Sequence, residues 1–411
     1  MPTAHAAARA VFVVFAASGF AFASWASRLP AVRDGLSFSE QDMGLLLLTG
    51  SIGSVAAIPL SGLVAERIGT ARTVLFSAAV LVVGLTVAGL GVAAGEHVAV
   101  RVGLVLFGVG AGVWDAAMNL EGATVEQRLG RAVMPVFHAG FSFGTVVGAG
   151  VGALVATVGV PVVWHVVGAG ALALVSVVVA VRFFSPAMVA AALPDGAAGA
   201  GAEAADPGAV TPPPSGVAGL LAAWRESRTL AIGLVVLAAA LTEGVANDWV
   251  SLAVVDGFGT SDGLGAVGLA VFLTAMTAAR LAGTRAIDRF GRVPVLVLST
   301  LLAFVGVLTF ALVPYLWLAL VGVALWGLGA ALGFPMGMSA ASDDPRRAAM
   351  RVAAVSTIAY TAFFVGPPLI GFVAHTTGYR LAVLVLLVPM VLGLAVARSV
   401  RPLPRPGVLR D

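Results

Sequence analysis

The chain of 411 residues contains neither cysteine nor lysine. Without cysteine there is no disulfide framework and no thiolate metal site. Without lysine there is no Walker-type phosphate loop, so ATP is not expected to drive this chain directly. Charge is also scarce. Only 10% of the residues are Asp, Glu, Lys or Arg, against about 25% in an ordinary soluble domain. Such a chain cannot cover itself with polar surface, and its 60% hydrophobic content points to lipid as the solvent. No set of His and acidic residues has metal-ligand spacing, and no Ser, His and Asp arrangement suggests a nucleophile. No metal or cofactor is therefore expected, and the chain does not read as an enzyme.

What is present is a succession of long apolar runs. A helix needs roughly 20 apolar residues to cross a bilayer. Twelve segments qualify: 10–30, 41–64, 73–94, 98–120, 133–157, 161–183, 229–251, 264–284, 293–313, 315–339, 351–374 and 380–398. The first contains "AFAS" (21–24), a cleavage-like string, but a repeat described below needs this helix in place. The spacing predicts an all-α membrane protein of two six-helix bundles, 1–183 and 229–411. They are joined by a linker, 184–228, rich in Ala, Gly and Pro with little to bury. Its last part, "GVAGLLAAWRES" (216–227), has the composition of a short surface helix.

The basic residues orient the spans. With a cytoplasmic N-terminus, Arg28, Arg33, Arg101 and Arg380 fall outside and Arg280 falls within a span; the other 18 of the 23 arginines lie inside. The positive-inside rule therefore predicts that both termini are cytoplasmic. The same bias accounts for the basic pI of 10.1, so no nucleic-acid partner is implied. A lipid bilayer is the expected surrounding, and a monomer the expected unit.

The two halves repeat each other. "GLVAERIGTAR" (62–72) follows the second span and "GTRAIDRFGRV" (283–293) follows the eighth. Glu66-Arg67-x-Gly69 aligns on Asp288-Arg289-x-Gly291. Trp25 aligns with Trp249, "GVGAG" (108–112) with "GLGAA" (327–331), and Met134 with Met350. Four landmarks in one order, at slowly drifting offsets, mark a parallel internal repeat, since each half has an even number of spans.

With these turns the chain resembles the major facilitator superfamily over nearly its whole length. The acidic-Arg-x-Gly loops are similar to that superfamily's signature. "DAAMNLEGATVEQRLGRAVMPVFHAGFSFG" (115–144) and "TEGVANDW" (242–249) resemble its MosC-like branch. The resemblance implies a secondary transporter in the cytoplasmic membrane, working by alternating access between two bundles that rock about a central site. It also implies a cytoplasmic latch, made by Glu66, Arg67 and Gly69 and by Asp288, Arg289 and Gly291, that breaks on inward opening. Two hallmarks of drug antiporters are displaced. Arg101 lies seven residues before Gly108, about a turn too far outward, and the Gly-Pro string "GPPLIG" (366–371) occurs in span eleven rather than span five.

Ionisable groups inside a bilayer cost about 2.5–3.5 kcal/mol each on insertion scales, so each marks a function or a partner. Asp115 lies in the inner part of span four, with Asn119 one turn on and on the same face. His138 enters span five to a similar depth, and a His–Asp pair exchanges protons near neutral pH. In span seven, Glu243 and Asn247 share a face, with Asp248 nearer the outer end. Asp115, Glu243 and His138 are the candidate proton-coupling groups. The alternative for Asp115 and His138 is a polar pair that ties two helices.

In span one, Ser24 and Arg28 share a face and Trp25 adjoins it. Arg28 is expected to pair with Asp248 or Glu243 as an outer gate. The resemblance places spans one, four, seven and ten along the pathway. Ser24, Trp25, Asn119, Asn247, Trp326 and Phe334 are accordingly the candidate substrate-binding residues, with Pro335 expected to kink span ten. Arg280 is explained by snorkelling to the cytoplasm. Gly140, Gly144, Gly148 and Gly152 bare one face of span five, and Gly366-Pro367-Pro368 are expected to bend or break span eleven.

The expected partners are a small polar solute (a sugar, cyclitol or amino-sugar-like compound) and protons. Export of amphipathic compounds is the alternative within the class. A receptor or scaffold that keeps the fold without transport is the alternative outside it.

Overall fold

The computed structural model of the chain describes residues 3–129, 133–184, 222–344 and 347–403; among these there is no β-strand. The first half contains span one (Ala4–Ala26), a short helix (Leu29–Leu36), and spans two (Glu40–Ile68), three (Thr70–Ala94), four (His97–Leu129), five (Met134–Thr157) and six (Val162–Ala180). The second half contains spans seven (Ser227–Phe258), eight (Asp262–Phe290), nine (Arg292–Leu312), ten (Leu316–Ala330 with Gly333–Ala341) and eleven (Ala348–Thr377). Span twelve follows in pieces, Tyr379–Ala382 and Leu387–Ala395, joined and followed by 3-10 turns. Ten candidate membrane spans are long and apolar enough by length and composition. Span two, of 29 residues, and span twelve complete the set by their place in the fold. Most of the linker lies outside the described residues, but residues 222–225 are helical.

Helices overshoot the apolar runs. Span four continues to Leu129, nine residues past its apolar stretch, because Glu121 and Glu126 find partners at their own end of the molecule. Thr70 Oγ1 donates to Glu121 at 2.5 Å, and Glu126 accepts from the amides of Val133 and Met134, which start span five. Carboxylates at helix N-termini satisfy orphan donors and meet the positive end of the dipole. The second half repeats the first of these contacts with an ion pair: Arg292, the first residue of span nine, meets Asp343 at 2.7 Å.

The repeat is also visible in the backbone. Gly69 closes span two and opens span three at φ 82°, ψ 156°; Gly291 does the same between spans eight and nine at φ 83°, ψ 163°. Only glycine occupies this region at low cost. The glycine of each signature loop is therefore required by the tight reversal itself.

Glycine also sets helix spacing. The bare face of span five lies on span one: Cβ atoms at Gly140, Gly144 and Gly148 would collide with the backbone or side chains of Phe12, Ala16 and Phe20. Without side chains to interlock, two helices approach backbone to backbone. Two expectations about proline divide. Span eleven runs as one helix through Pro367 and Pro368, so the expected break does not occur there. Span ten is interrupted at Ala331 and Leu332 instead. Pro335 has no N–H for the Ala331 carbonyl four residues back, and its ring crowds that carbonyl.

Exposed aromatic residues mark where such a body meets a bilayer interface. Trp164, Tyr315 and Trp317 lie at one end, and Phe290 and Trp224 at the other. The end that carries Gly69 and Gly291 is called the motif end below, and the other the far end.

Candidate functional site

The two halves meet at the far end. Arg33, on the short helix, is ion-paired with Asp256 near the end of span seven. Ser251 Oγ donates to the Ala26 carbonyl at 3.4 Å. Spans two and eleven cross at glycines: a Cβ on Gly44 would stand 2.7 Å from the Pro367 carbonyl oxygen, and one on Gly371 2.6 Å from that of Glu40. Glu40 also faces His375 at 3.5 Å. Gly263 opens span eight against Thr157 of span five. Burial works against the Arg33 charge, but hydrogen bonds to Asp256 and Asp34 outweigh it and hold the guanidinium pKa above its ordinary value. At the motif end, the bonds of Glu126, Arg228, Arg292 and Arg351 stay within one half.

Between these ends lies a layer of polar side chains. At 1.5 Å per residue, Asp115, His138, Glu243, Arg280 and Tyr360 stand about 22–28 Å along their helices from the far end. Asp115, His138 and Tyr360 are exposed, and Glu243 and Arg280 are partly so, at 25% and 30%. Span eleven shows which way they face. Gly371 and Pro367 are pressed on span two, and Tyr360 and Phe363 continue the same helical face toward the motif end. They therefore look into the gap between the halves.

Arg280 is not a snorkelling residue. Its Nη2 donates to both carboxylate oxygens of Glu243 at 2.9 Å, and its Nε to the Ala331 carbonyl at 3.4 Å. That carbonyl is the one Pro335 leaves without a helical donor. His138, across on span five, packs edge-on against Phe15 with centroids 5.2 Å apart and feels the charge of Arg280.

Asp115 has a different setting. Asn119 Nδ2 donates to the Asp115 backbone carbonyl at 2.8 Å and to its Oδ1 at 3.2 Å. Tyr360 lies opposite, within its electrostatic reach. Tyr360 and Phe363 form an aromatic pair with centroids 6.2 Å apart. Phe363 in turn lines a recess with Gly244, Asp248 and Pro367. Asp248 is half-buried there and, among the described residues, has no hydrogen bond or ion pair.

Several expectations need correction. Asp115 and His138 share a depth but do not pair; Asp115 is held by Asn119, and His138 packs on Phe15. Arg28 does not meet Asp248 or Glu243. It is buried within the first half and donates to the Val160 carbonyl at 2.8 Å; the far-end ion pair belongs to Arg33 and Asp256. Ser24 and Trp25 are buried in the closed far end. Trp326 is wholly buried, donates to the Thr242 carbonyl at 3.0 Å, and packs on Phe272 and Phe310. None of the three is open to a solute in this conformation. Phe334 packs on the core, while Asn247 is half-buried with Oδ1 unpartnered.

The latch residues Arg67, Asp288 and Arg289 are exposed, and Arg289 rests over Phe290. The Glu66 side chain lies outside the described residues. Arg101 stays at the far end, 6.0 Å from the Phe38 ring. Sequence reasoning missed Tyr360 and the Arg33–Asp256 pair. It also left Arg280 without its acid, although an intramembrane arginine is itself a signal to look for one.

Comparison with known proteins decides the family. The chain is 30% identical over 372 residues to an uncharacterized transporter of the major facilitator superfamily type from Yersinia pestis, covering 90% of this chain and 89% of that one. The chain belongs to the major facilitator superfamily. The model of that superfamily matches residues 232–411. An uncharacterized transporter, y4wD, of Sinorhizobium fredii is 31% identical over 374 residues, covering 91% of this chain and 92% of that one. Membrane protein MosC of Rhizobium meliloti is 27% identical over 91% of this chain and 85% of its own.

Among solved structures, the nucleoside transporter NupG superposes with a TM-score of 0.73 at 14% identity, covering 96% of this chain and 98% of that one. A bacterial homologue of the lysosomal transporter Spinster gives 0.70 at 13%, covering 98% and 99%. The chain is thus a multi-pass membrane protein of the all-α superfamily fold, a secondary transporter rather than an enzyme.

Proposed function

We propose that this transporter moves a small polar solute across the bacterial cytoplasmic membrane by alternating access, coupled to protons, and that it acts as a monomer. The units that rock are residues 1–183 and 229–411, joined by the linker 184–228. The arginine bias makes the motif end cytoplasmic and leaves both termini inside. The conformation described above is then inward-facing, with the far end shut toward the outside and the central gap reached from the cytoplasm.

One observation carries this reading: ionisable groups face accessible space between two halves that are joined at the other end. A static scaffold has no use for Asp115, Glu243, Arg280 and His138 around a gap. Protonation of Glu243 would release Arg280 from its bidentate grip, and proton binding at Asp115 would remove an unbalanced charge. Either event changes the relative energy of the two facing states, which links proton and solute equilibria. A proton gradient supplies about 2.3 kcal/mol per charge for each 100 mV. Exposure of Asp288 and Arg289 fits a latch that is undone in this state.

In proteoliposomes, Asp115→Asn and Glu243→Gln are each expected to reduce gradient-driven accumulation, and at least one should leave solute exchange intact. Accumulation at the parent's level in both variants would end the proton-coupled reading.

A further inference from the structure

The charge around the gap is not balanced. Glu243 and Arg280 neutralise each other through two 2.9 Å hydrogen bonds. His138 carries no fixed charge near neutral pH. Asp115 and Asp248 remain, and among the described residues neither is joined to a cation. The two acids lie on opposite halves, in spans four and seven. The Tyr360–Phe363 pair connects their surroundings: Tyr360 lies within electrostatic reach of Asp115 at a similar depth, and Phe363 shares a recess with Asp248.

We propose that the solute is a cation, a polar molecule bearing an ammonium group held at the Asp115 carboxylate beside Tyr360. Resting on the transport reading above, this names the class of solute. The chemistry selects it by elimination. An anionic solute would meet two carboxylates, while the Arg280 charge is already paired with Glu243 through Nη2. A neutral polyol would displace water from Asp115 and Asp248 and give neither a counter-charge, so it would bind only after protons had neutralised both, since a carboxylate desolvated without a partner is costly. An ammonium supplies the missing charge, and the exposed Tyr360–Phe363 aromatic pair nearby offers it a cation–π contact. Asn119 holds Oδ1 of the exposed Asp115 carboxylate at 3.2 Å. Proton and ammonium exclude one another at Asp115, which makes exchange of one for the other the natural mode of coupling.

The test uses the full chain purified in detergent and matched pairs of probes: glucosamine with glucose, and choline with 3,3-dimethylbutanol. The unfolding midpoint is followed against probe concentration. At least one amine should raise the midpoint where its neutral partner does not. Asp115→Asn should weaken that response about tenfold or more, and Asp115→Glu should restore part of it. Tyr360→Ala should weaken it independently, and carries the test if Asp115→Asn does not fold. A neutral probe that stabilises as well as its amine, failure of both amines, or an unchanged response in Asp115→Asn and Tyr360→Ala would overturn the proposal. Counterflow in proteoliposomes separates the two readings. Amine binding without counterflow upholds the cation site and rejects transport. Counterflow of glucose but not glucosamine upholds transport and rejects the cation site.

Discussion

Glu226 shows how single residues fasten this molecule. It precedes span seven, accepts from Arg351 Nη2 at 2.5 Å and Nε at 2.8 Å, and from Thr229 Oγ1 at 2.8 Å. Partial burial would raise its pKa, but these donors outweigh burial and hold it below the usual 4.5. A carboxylate with a depressed folded pKa stabilises the fold above its unfolded value, and that contribution is lost as pH falls through the folded one. Glu226→Gln should therefore lower the unfolding midpoint at pH 7, and the gap from the parent should close as pH drops below about 4.5. A difference that persists unchanged into acid would show that the carboxylate charge is not what matters.

At this scale the sequence was legible in kind but not in pairing. Asp115, Asn119, His138 and Glu243 stand out because charge and amides are rare in apolar runs, and all four lie in or beside the gap. Their partners were hidden because Glu243 and Arg280 are 37 positions apart, on helices whose rotation composition does not reveal. The burial of Trp326 and Trp25 in this conformation was hidden for a related reason. A large aromatic on a pathway helix has two sides to face, and both face packed protein here.

Among the elements, glycine decides two different contacts. Within the first half, spans one and five touch along Gly140, Gly144 and Gly148. Between the halves, spans two and eleven touch at Gly44 and Gly371. Valine at Gly144 would drive into the Ala16 backbone, an overpacked site that costs about 1–3 kcal/mol or more. Gly144→Val is expected to lower the unfolding midpoint. Gly44→Val meets backbone only across the gap, so it should leave each half folded and pry the far end open. A cysteine placed at Ser251 should then label faster with a membrane-impermeant thiol reagent added from outside. Equal labelling in Gly44→Val and the parent would contradict this assignment of the far-end crossing.

The twelve spans were readable because each must be apolar for some 20 residues. The glycine face of span five was equally plain. The break in span ten and the unbroken course of span eleven were less so. A proline frees a carbonyl, but tertiary neighbours decide whether it is taken up: at Ala331 the Arg280 guanidinium accepts that task.

As a whole molecule, the chain repeats one design twice and joins the copies at one end. The repeat was legible from Glu66-Arg67-x-Gly69 and Asp288-Arg289-x-Gly291, and the matching backbone at Gly69 and Gly291 gives it a physical cause. Which end was shut was not legible, because residues such as Arg33 and Asp256 are polar in any state, and only their proximity reveals a closed gate.

Alternating access requires that the far end open in every cycle. The absence of native cysteine makes the decisive measurement clean. Arg33→Cys and Asp256→Cys are introduced together, bridged with a reducible bis-methanethiosulfonate reagent, and assayed for counterflow of a transported solute in proteoliposomes. The bridged protein is expected to be inactive, and reduction to restore counterflow to the level of the unbridged double variant. Counterflow that continues undiminished in fully bridged protein would contradict that requirement.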